Sequence, residues 1–127
     1  MTLPATPPPG HQPPPVQFEL DTYPFTILRA GERLAECDPD TIGRLQLEHV
    51  AYIQNLVAAG HVLAAGAFSN HSYLTGMGFW TPGTSVEEIR RLMDGDSAVK
   101  AGVEECEILT FLCPKGALVF PGRGGET

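Results

Sequence analysis

The residue best suited to acid–base chemistry in this sequence is His49, which lies within the segment LEHVAYIQNLVAAG. Apolar residues recur around it at spacings of three and four, which predicts a helix with one apolar stripe, formed by Leu45, Tyr52, Ile53 and Leu56. The His49 side chain is therefore expected to point toward a sheet and away from solvent. A carboxylate beside it would hold its pKa near neutrality, which suits a general acid or base. The alternative is a structural histidine that is hydrogen-bonded in the core.

Asp96 is the candidate carboxylate partner of His49. It follows Gly95 and opens a short helical segment, so its alternative role is to cap that segment. The spacing of the two residues does not establish that they meet. The two roles are compatible, because one carboxylate oxygen can cap while the other orients an imidazole.

Five further side chains are predicted to contact a small-molecule substrate: Phe25, Tyr52, Phe68, His71 and Trp80. Ile27 and Phe79 complete the predicted pocket wall. Two of the five also have an ordinary structural interpretation: a core tyrosine at 52 and a solvated loop histidine at 71. The sequence contains no glycine-rich phosphate loop and no nucleophile elbow, so no cofactor is predicted.

Composition excludes several classes of partner. The three cysteines lack the paired spacing of a zinc site or a disulfide framework, so no metal is predicted. The chain has 8 Lys and Arg against 15 Asp and Glu, a formal net charge of -7, and no basic run, which argues against nucleic acid. No apolar run approaches the roughly 20 residues of a membrane helix. A secretory signal is also lacking, so a cytoplasmic location is expected.

The chain divides into three parts by composition. Residues 1–17 begin with MTLPATPPPGHQPPP and are predicted to be a proline-rich disordered extension. Residues 18–120 are predicted to form one domain, and residues 121–127 a loose tail.

Within the domain, the predicted order of elements is β-α-β-β-α-β. The predicted strands cover residues 18–29, 61–68, 73–80 and 103–112. Asp38 and Pro39 predict the start of the first helix and Gly60 its end, while Thr84 or Ser85 opens the second helix. This order predicts an α+β fold of the ferredoxin-like kind, with four antiparallel strands and both helices on one face. The uncovered face favours a homodimer.

The stretches EHVAYIQNLVAAGHVLAAGAF and SVEEIRRLMDGDSAVKAGV resemble the YCII-related (YciI-like) domain family of the dimeric α+β barrel superfamily. The resemblance covers residues 22 to 113. The family's helix histidine falls on His49, its Gly-x-Phe on Gly66 and Phe68, and its aspartate before Lys-Ala-Gly on Asp96. This chain has Ser97-Ala98 where members have Pro-Phe, and Ala67 where they have Pro, which alters the apolar lining. The resemblance implies a His–Asp pair in a pocket between helices and sheet.

These observations favour a small cofactor-independent enzyme of the lyase or isomerase type. His49 and Asp96 would carry out proton transfer in an isomerisation, cyclisation or elimination of a small aromatic or polyketide-like molecule. An alternative is a non-catalytic small-molecule-binding or accessory dimer. A third interpretation is a cofactor-free oxygenase.

Overall fold

The computed structural model describes residues 19–121. The proline-rich extension predicted for residues 1–17 lies outside the described residues, as does all of the predicted tail after residue 121. None of the described helices combines the length and the apolar character needed to cross a membrane.

Four strands form one antiparallel sheet: β1 (Leu20–Ala30), β2 (Val62–Ala67), β3 (Leu74–Trp80) and β4 (Glu104–Pro114). Their order across the sheet is β2-β3-β1-β4, and every neighbouring pair is antiparallel. The predicted α+β class and the four-stranded antiparallel sheet are thereby confirmed. The β1–β3 ladder shifts register after Leu28, so that Thr75 has no partner on β1. Such a bulge can re-aim a side chain, and it lies next to the site described below.

Helix α1 (Pro39–Ala58) begins and ends where its local sequence dictates. The Asp38 carboxylate accepts a hydrogen bond from the Thr41 amide at 2.7 Å, and Pro39 occupies the first helical turn, where a missing N–H does no harm. At the other end Gly60 has φ 86°, and the His61 amide donates to the Leu56 carbonyl at 3.0 Å. This left-handed glycine cap turns the chain directly into β2.

Two shorter helices follow β3: α2 (Val86–Met93) and α3 (Ser97–Lys100). Ser85 caps α2 by accepting from the Glu88 amide at 3.1 Å, as its sequence predicts. A three-residue 3-10 helix at Leu34–Glu36 lies in the connection before α1.

The two faces of the sheet pack in different ways. On one face Leu28, Trp80 and Cys106 pack with Leu56 of α1 and Ile89 of α2, and this is the main core. Because strand residues alternate, the neighbours of these residues lie on the other face. There, aromatic rings pack against one another, and no helix of the described residues covers them: Tyr23, Phe25, Phe79, Phe111 and Phe120.

Candidate functional site

His49 extends from the middle of α1 toward the sheet and meets Asp96. Its Nδ1 lies 2.8 Å from Asp96 Oδ2, within the range of a charge-assisted hydrogen bond. The His49 side chain is 17% exposed and that of Asp96 is 0% exposed. The two residues, 47 positions apart in sequence, are thus in direct contact at the edge of the core.

Asp96 stands at the N-cap position of α3, but its carboxylate makes no capping hydrogen bond. The alternative capping role is therefore absent in this structure, and Oδ2 is directed at the imidazole instead. The other oxygen, Oδ1, is buried and has no hydrogen-bond partner among the described residues. The buried carboxylate is therefore incompletely paired, and the imidazole is its side-chain partner among the described residues.

The turn that carries Asp96 is positioned by Tyr52. The Tyr52 hydroxyl donates to the Leu92 carbonyl at 2.6 Å, which ties α1 to the end of α2. Only glycine fits beneath this hydroxyl, because a Cβ at Gly95 would overlap Tyr52 Oη. The sequence predicts that Tyr52 contacts substrate. Its hydroxyl is engaged with the backbone, and the side chain packs against the core, so the structure gives it a positioning role.

A third acidic residue, Glu104, joins the pair, and the sequence reasoning missed it. Its Oε1 lies 3.5 Å from His49 Nδ1, and its Oε2 accepts a hydrogen bond from Thr75 Oγ1 at 2.8 Å. The side chain is 14% exposed. A signal was available, because strand alternation puts Glu104 on the same face as Cys106, which is the face toward the helices.

These surroundings determine the protonation of His49. Burial alone lowers its pKa, but the hydrogen bond to Asp96 and the negative charges of Glu104 and Asp96 outweigh burial, so the pKa of His49 is raised above its ordinary 6.5. Among the described residues no Lys or Arg side chain pairs with either carboxylate. The imidazole is therefore the site's own source of positive charge.

The other ring nitrogen, Nε2, is available to a ligand. Among the described residues it makes no hydrogen bond, and it is not one of the fully enclosed polar atoms. His49 lines a cleft of about 400 Å³ between α1 and the sheet. Most of the cleft wall is apolar: Leu28, Val50, Ile53, Val57, Val62, Ala65, Gly66, Ala67, Met77, Trp80 and Met93. Its polar groups other than His49 come from Thr26 and Gln54.

The remaining predicted substrate-binding residues divide between three places. Trp80 lines the cleft. Phe68 and His71 lie around a separate surface depression beyond the end of β2, where His71 Nδ1 accepts from the Leu74 amide at 2.8 Å and so shapes the turn. Phe25 packs against Phe79 on the opposite face of the sheet. Its predicted place in the His49 pocket is wrong, because Thr26, and not Phe25, faces α1; the same holds for Phe79.

The cysteines do not add a nucleophile to this site. Cys106 is buried on the helix side of the sheet, and burial raises the pKa of its thiol to about 11. It is therefore a neutral thiol near neutral pH.

Metal donors are present, although none was predicted. Ligand atoms of His49, Asp96 and Glu104 all lie within 4.8 Å of one another, and in the described part of the chain no other set of three His, Cys, Asp or Glu residues does so. The 2.8 Å contact between Nδ1 and Oδ2 is that of two atoms sharing a proton. A cation at about 2.1 Å from both would need them spread to roughly 3.0–3.4 Å. The observed geometry thus fits a hydrogen bond better than a metal.

Comparisons of the chain with models of known families, with curated proteins and with solved structures give no match.

Proposed function

We propose that this protein is a cofactor-independent enzyme that moves a proton at a carbon next to a carbonyl group, in an isomerisation, cyclisation or elimination. The observation that carries the proposal is that the two ring nitrogens of His49 lie in different environments. Nδ1 contacts a buried carboxylate at 2.8 Å, while Nε2 has no hydrogen-bond partner among the described residues and the His49 side chain lines an apolar cleft. An oriented imidazole at the wall of a cleft is the arrangement that general acid–base catalysis requires.

In the proposed reaction neutral His49 keeps its proton on Nδ1, hydrogen-bonded to Asp96. Nε2 then takes a proton from the substrate carbon, and the electron pair of the C–H bond forms an enolate. The imidazolium is stabilised by Asp96 and Glu104. Return of the proton from Nε2 to a different carbon completes an isomerisation, while loss of a leaving group from the neighbouring carbon completes an elimination.

We further propose a ferredoxin-like fold that pairs as a homodimer, consistent with the resemblance to the YCII-related family. The strand order β2-β3-β1-β4 supports the fold. The aromatic face supports the dimer, because the same face of a second copy can cover apolar rings that have no helix over them. We place the activity in the cytoplasm, where free thiols such as those of Cys37, Cys106 and Cys113 persist.

Proton–deuterium exchange tests the acid–base proposal without knowledge of the natural substrate. The probe is β-tetralone, a two-ring ketone whose ring-side carbon next to the carbonyl is acidic. Exchange at that carbon in deuterium oxide is followed by proton NMR, and the protein-free rate is subtracted. We expect catalysed exchange with the native protein and its loss in His49→Gln. His61→Gln, at a histidine outside the cleft, is the matched control and should retain the rate.

The second candidate is a non-catalytic small-molecule-binding protein, favoured by the mostly apolar lining of the cleft. The same experiment separates the two functions. A binding protein would bind the ketone, yet give no exchange above the protein-free rate in either the native protein or His49→Gln.

A further inference from the structure

We propose that the Thr26 hydroxyl is a substrate anchor that selects two-ring ketones carrying an oxygen on the ring remote from the reacting carbonyl. The inference builds on the proposed function, since it names the class of substrate for the same cleft. Thr26 is not among the residues predicted from the sequence to contact a ligand.

The Thr26 hydroxyl accepts one hydrogen bond and has its own O–H proton free to donate. Trp80 Nε1 donates to Thr26 Oγ1 at 3.0 Å, and an indole N–H can only donate, so the threonine oxygen must accept. Among the described residues the Thr26 O–H donates to no acceptor. Thr26 is 4% exposed and lies on the cleft wall. The Thr26 hydroxyl is therefore free to donate its proton to a neutral oxygen of a ligand in the cleft.

The backbone keeps the space beside this hydroxyl open. Gly78 is the β3 partner of Thr26, and a Cβ there would lie 3.3 Å from Thr26 Oγ1. The neighbouring residue across β3 is Ala65, which also lines the cleft and is small. Trp80 therefore fixes the oxygen from one side, while glycine and alanine leave room on the other.

Strand geometry sets the length of the ligand. Ala30 pairs with Glu104, so the acidic group around His49 lies near residues 28–30 of β1. Thr26 lies on the same face, two to four residues away, a separation of about 7–13 Å along the strand. A proton-abstracting nitrogen and a donor so separated do not hold the same carbonyl. They match opposite ends of a two-ring molecule.

The lining also determines the charge of the ligand. No Lys or Arg is among the described residues that line the cleft, and two carboxylates stand behind His49. A carboxylate or phosphate ligand would be repelled and left unpaired there. The anchored group is thus a neutral oxygen, such as a phenol or a carbonyl.

The test compares β-tetralone with hydroxy-β-tetralone, its analogue bearing one hydroxyl on the distal ring. Binding is read from the fluorescence of Trp80, the chain's one tryptophan, which lines the cleft. A neutral hydrogen bond predicts about two- to twelvefold tighter binding of the hydroxylated probe. In Thr26→Val the ratio of the two affinities should fall to about one, and in Thr26→Ser it should persist. Equal binding of the probes by the native protein, or an unchanged ratio in Thr26→Val, would overturn the proposal.

Two further measurements make the result decisive. His49→Gln should lose exchange yet keep the affinity ratio. If the native protein itself shows the affinity ratio but no exchange, the proposed enzyme activity fails and the anchor stands. Thr26→Val leaves the Trp80 N–H without its acceptor and can fail to fold. In that event the native protein is studied by heteronuclear NMR. Exchanging one probe for the other must shift the amides of Thr26 and Gly78 more than those around His49, and the reverse pattern contradicts the anchor.

Discussion

Replacing Asp96 by Asn tests the central feature of the proposed site. The substitution preserves the shape of the side chain and removes its negative charge. The bond that it changes is short, 2.8 Å, and the carboxylate is completely buried, so solvent does not screen the pair. Hydrogen bonds to charged groups contribute about 1.5–3 kcal/mol. The imidazolium forms only as the proton is abstracted, so loss of a bond that stabilises chiefly the imidazolium raises the barrier by this amount. The exchange rate should then fall about 10- to 150-fold.

The rate of β-tetralone exchange is the assay for this prediction, with saturating ketone so that binding does not limit it. Glu104→Gln is the matched comparison, because its oxygen lies farther from Nδ1, at 3.5 Å, beyond a good hydrogen bond. Its effect should be smaller than that of Asp96→Asn. An Asp96→Asn rate within twofold of the native rate, or a larger loss in Glu104→Gln, would refute the assignment of Asp96 as the orienting carboxylate.

Stability measurements separate this role from a merely structural one. Asp96 leaves Oδ1 without a partner, so a neutral amide there removes a buried, incompletely paired charge. The same substitution also removes the carboxylate that pairs with the His49 imidazolium, a loss that matters only while His49 is charged. Asp96→Asn should accordingly be most destabilising below pH 6.5 and progressively less so as the pH rises through the folded pKa of His49. A structural residue would instead lose stability and activity together at every pH.

Three other predictions follow from the same geometry. Because the folded pKa of His49 is raised above 6.5, its contribution to the unfolding free energy is full below pH 6.5 and is lost as the pH rises through the folded pKa. Urea titrations at pH values from below 6.5 to above the folded pKa should show this loss of stability in the native protein and a flat profile in His49→Gln. Leu109→Glu places a charge on the aromatic face at a residue 39% exposed, and should convert the proposed dimer to a monomer in sedimentation experiments. Leu47→Glu, at a residue 75% exposed on α1, should not, and a monomeric native protein would contradict the proposed dimer. Gly95→Ala should lower the unfolding free energy by about 1–3 kcal/mol, because its methyl group overlaps the Tyr52 hydroxyl. Adding Tyr52→Phe should restore part of this stability, whereas additive losses in the double variant would contradict the proposed contact.

Local signals in the sequence were sufficient to predict where the helices begin and end. Asp38 with Pro39, Ser85 and Gly60 each mark a helix end through bonds to residues within five positions, so short-range chemistry defines them. The stripe around His49 likewise determines the side of α1 that faces the sheet. The contact between His49 and Asp96 needed the full fold, because it depends on the end of α2 and the turn that follows being held against α1, to which the Tyr52–Leu92 bond contributes.

The cleft lining was harder to predict, because β1 is apolar on both faces. Phe25 and Ile27 alternate with Thr26 and Leu28, and neither set looks like a solvent-exposed face. Period-two alternation gives the two sets but does not say which one a helix covers. Thr26 faces α1 because its hydroxyl bonds Trp80 in the core, a contact that spans 54 residues in sequence. Glu104 was missed for a related reason: a glutamate at a strand start is usually a surface residue.

The distribution of charge around His49 limits the reactions that the cleft can support. Asp96 and Glu104 bring two negative charges, and the imidazole can supply at most one positive charge. A substrate that arrived as an anion would add a charge that nothing in the described cleft neutralises. A neutral ketone avoids this, because the proton that leaves its carbon converts His49 to the cation that both carboxylates favour. The negative charge of the enolate then appears only while the imidazolium stands beside it. Under the proposed function, the site favours neutral substrates and forms the enolate beside the imidazolium, as an isomerase or an eliminating lyase would.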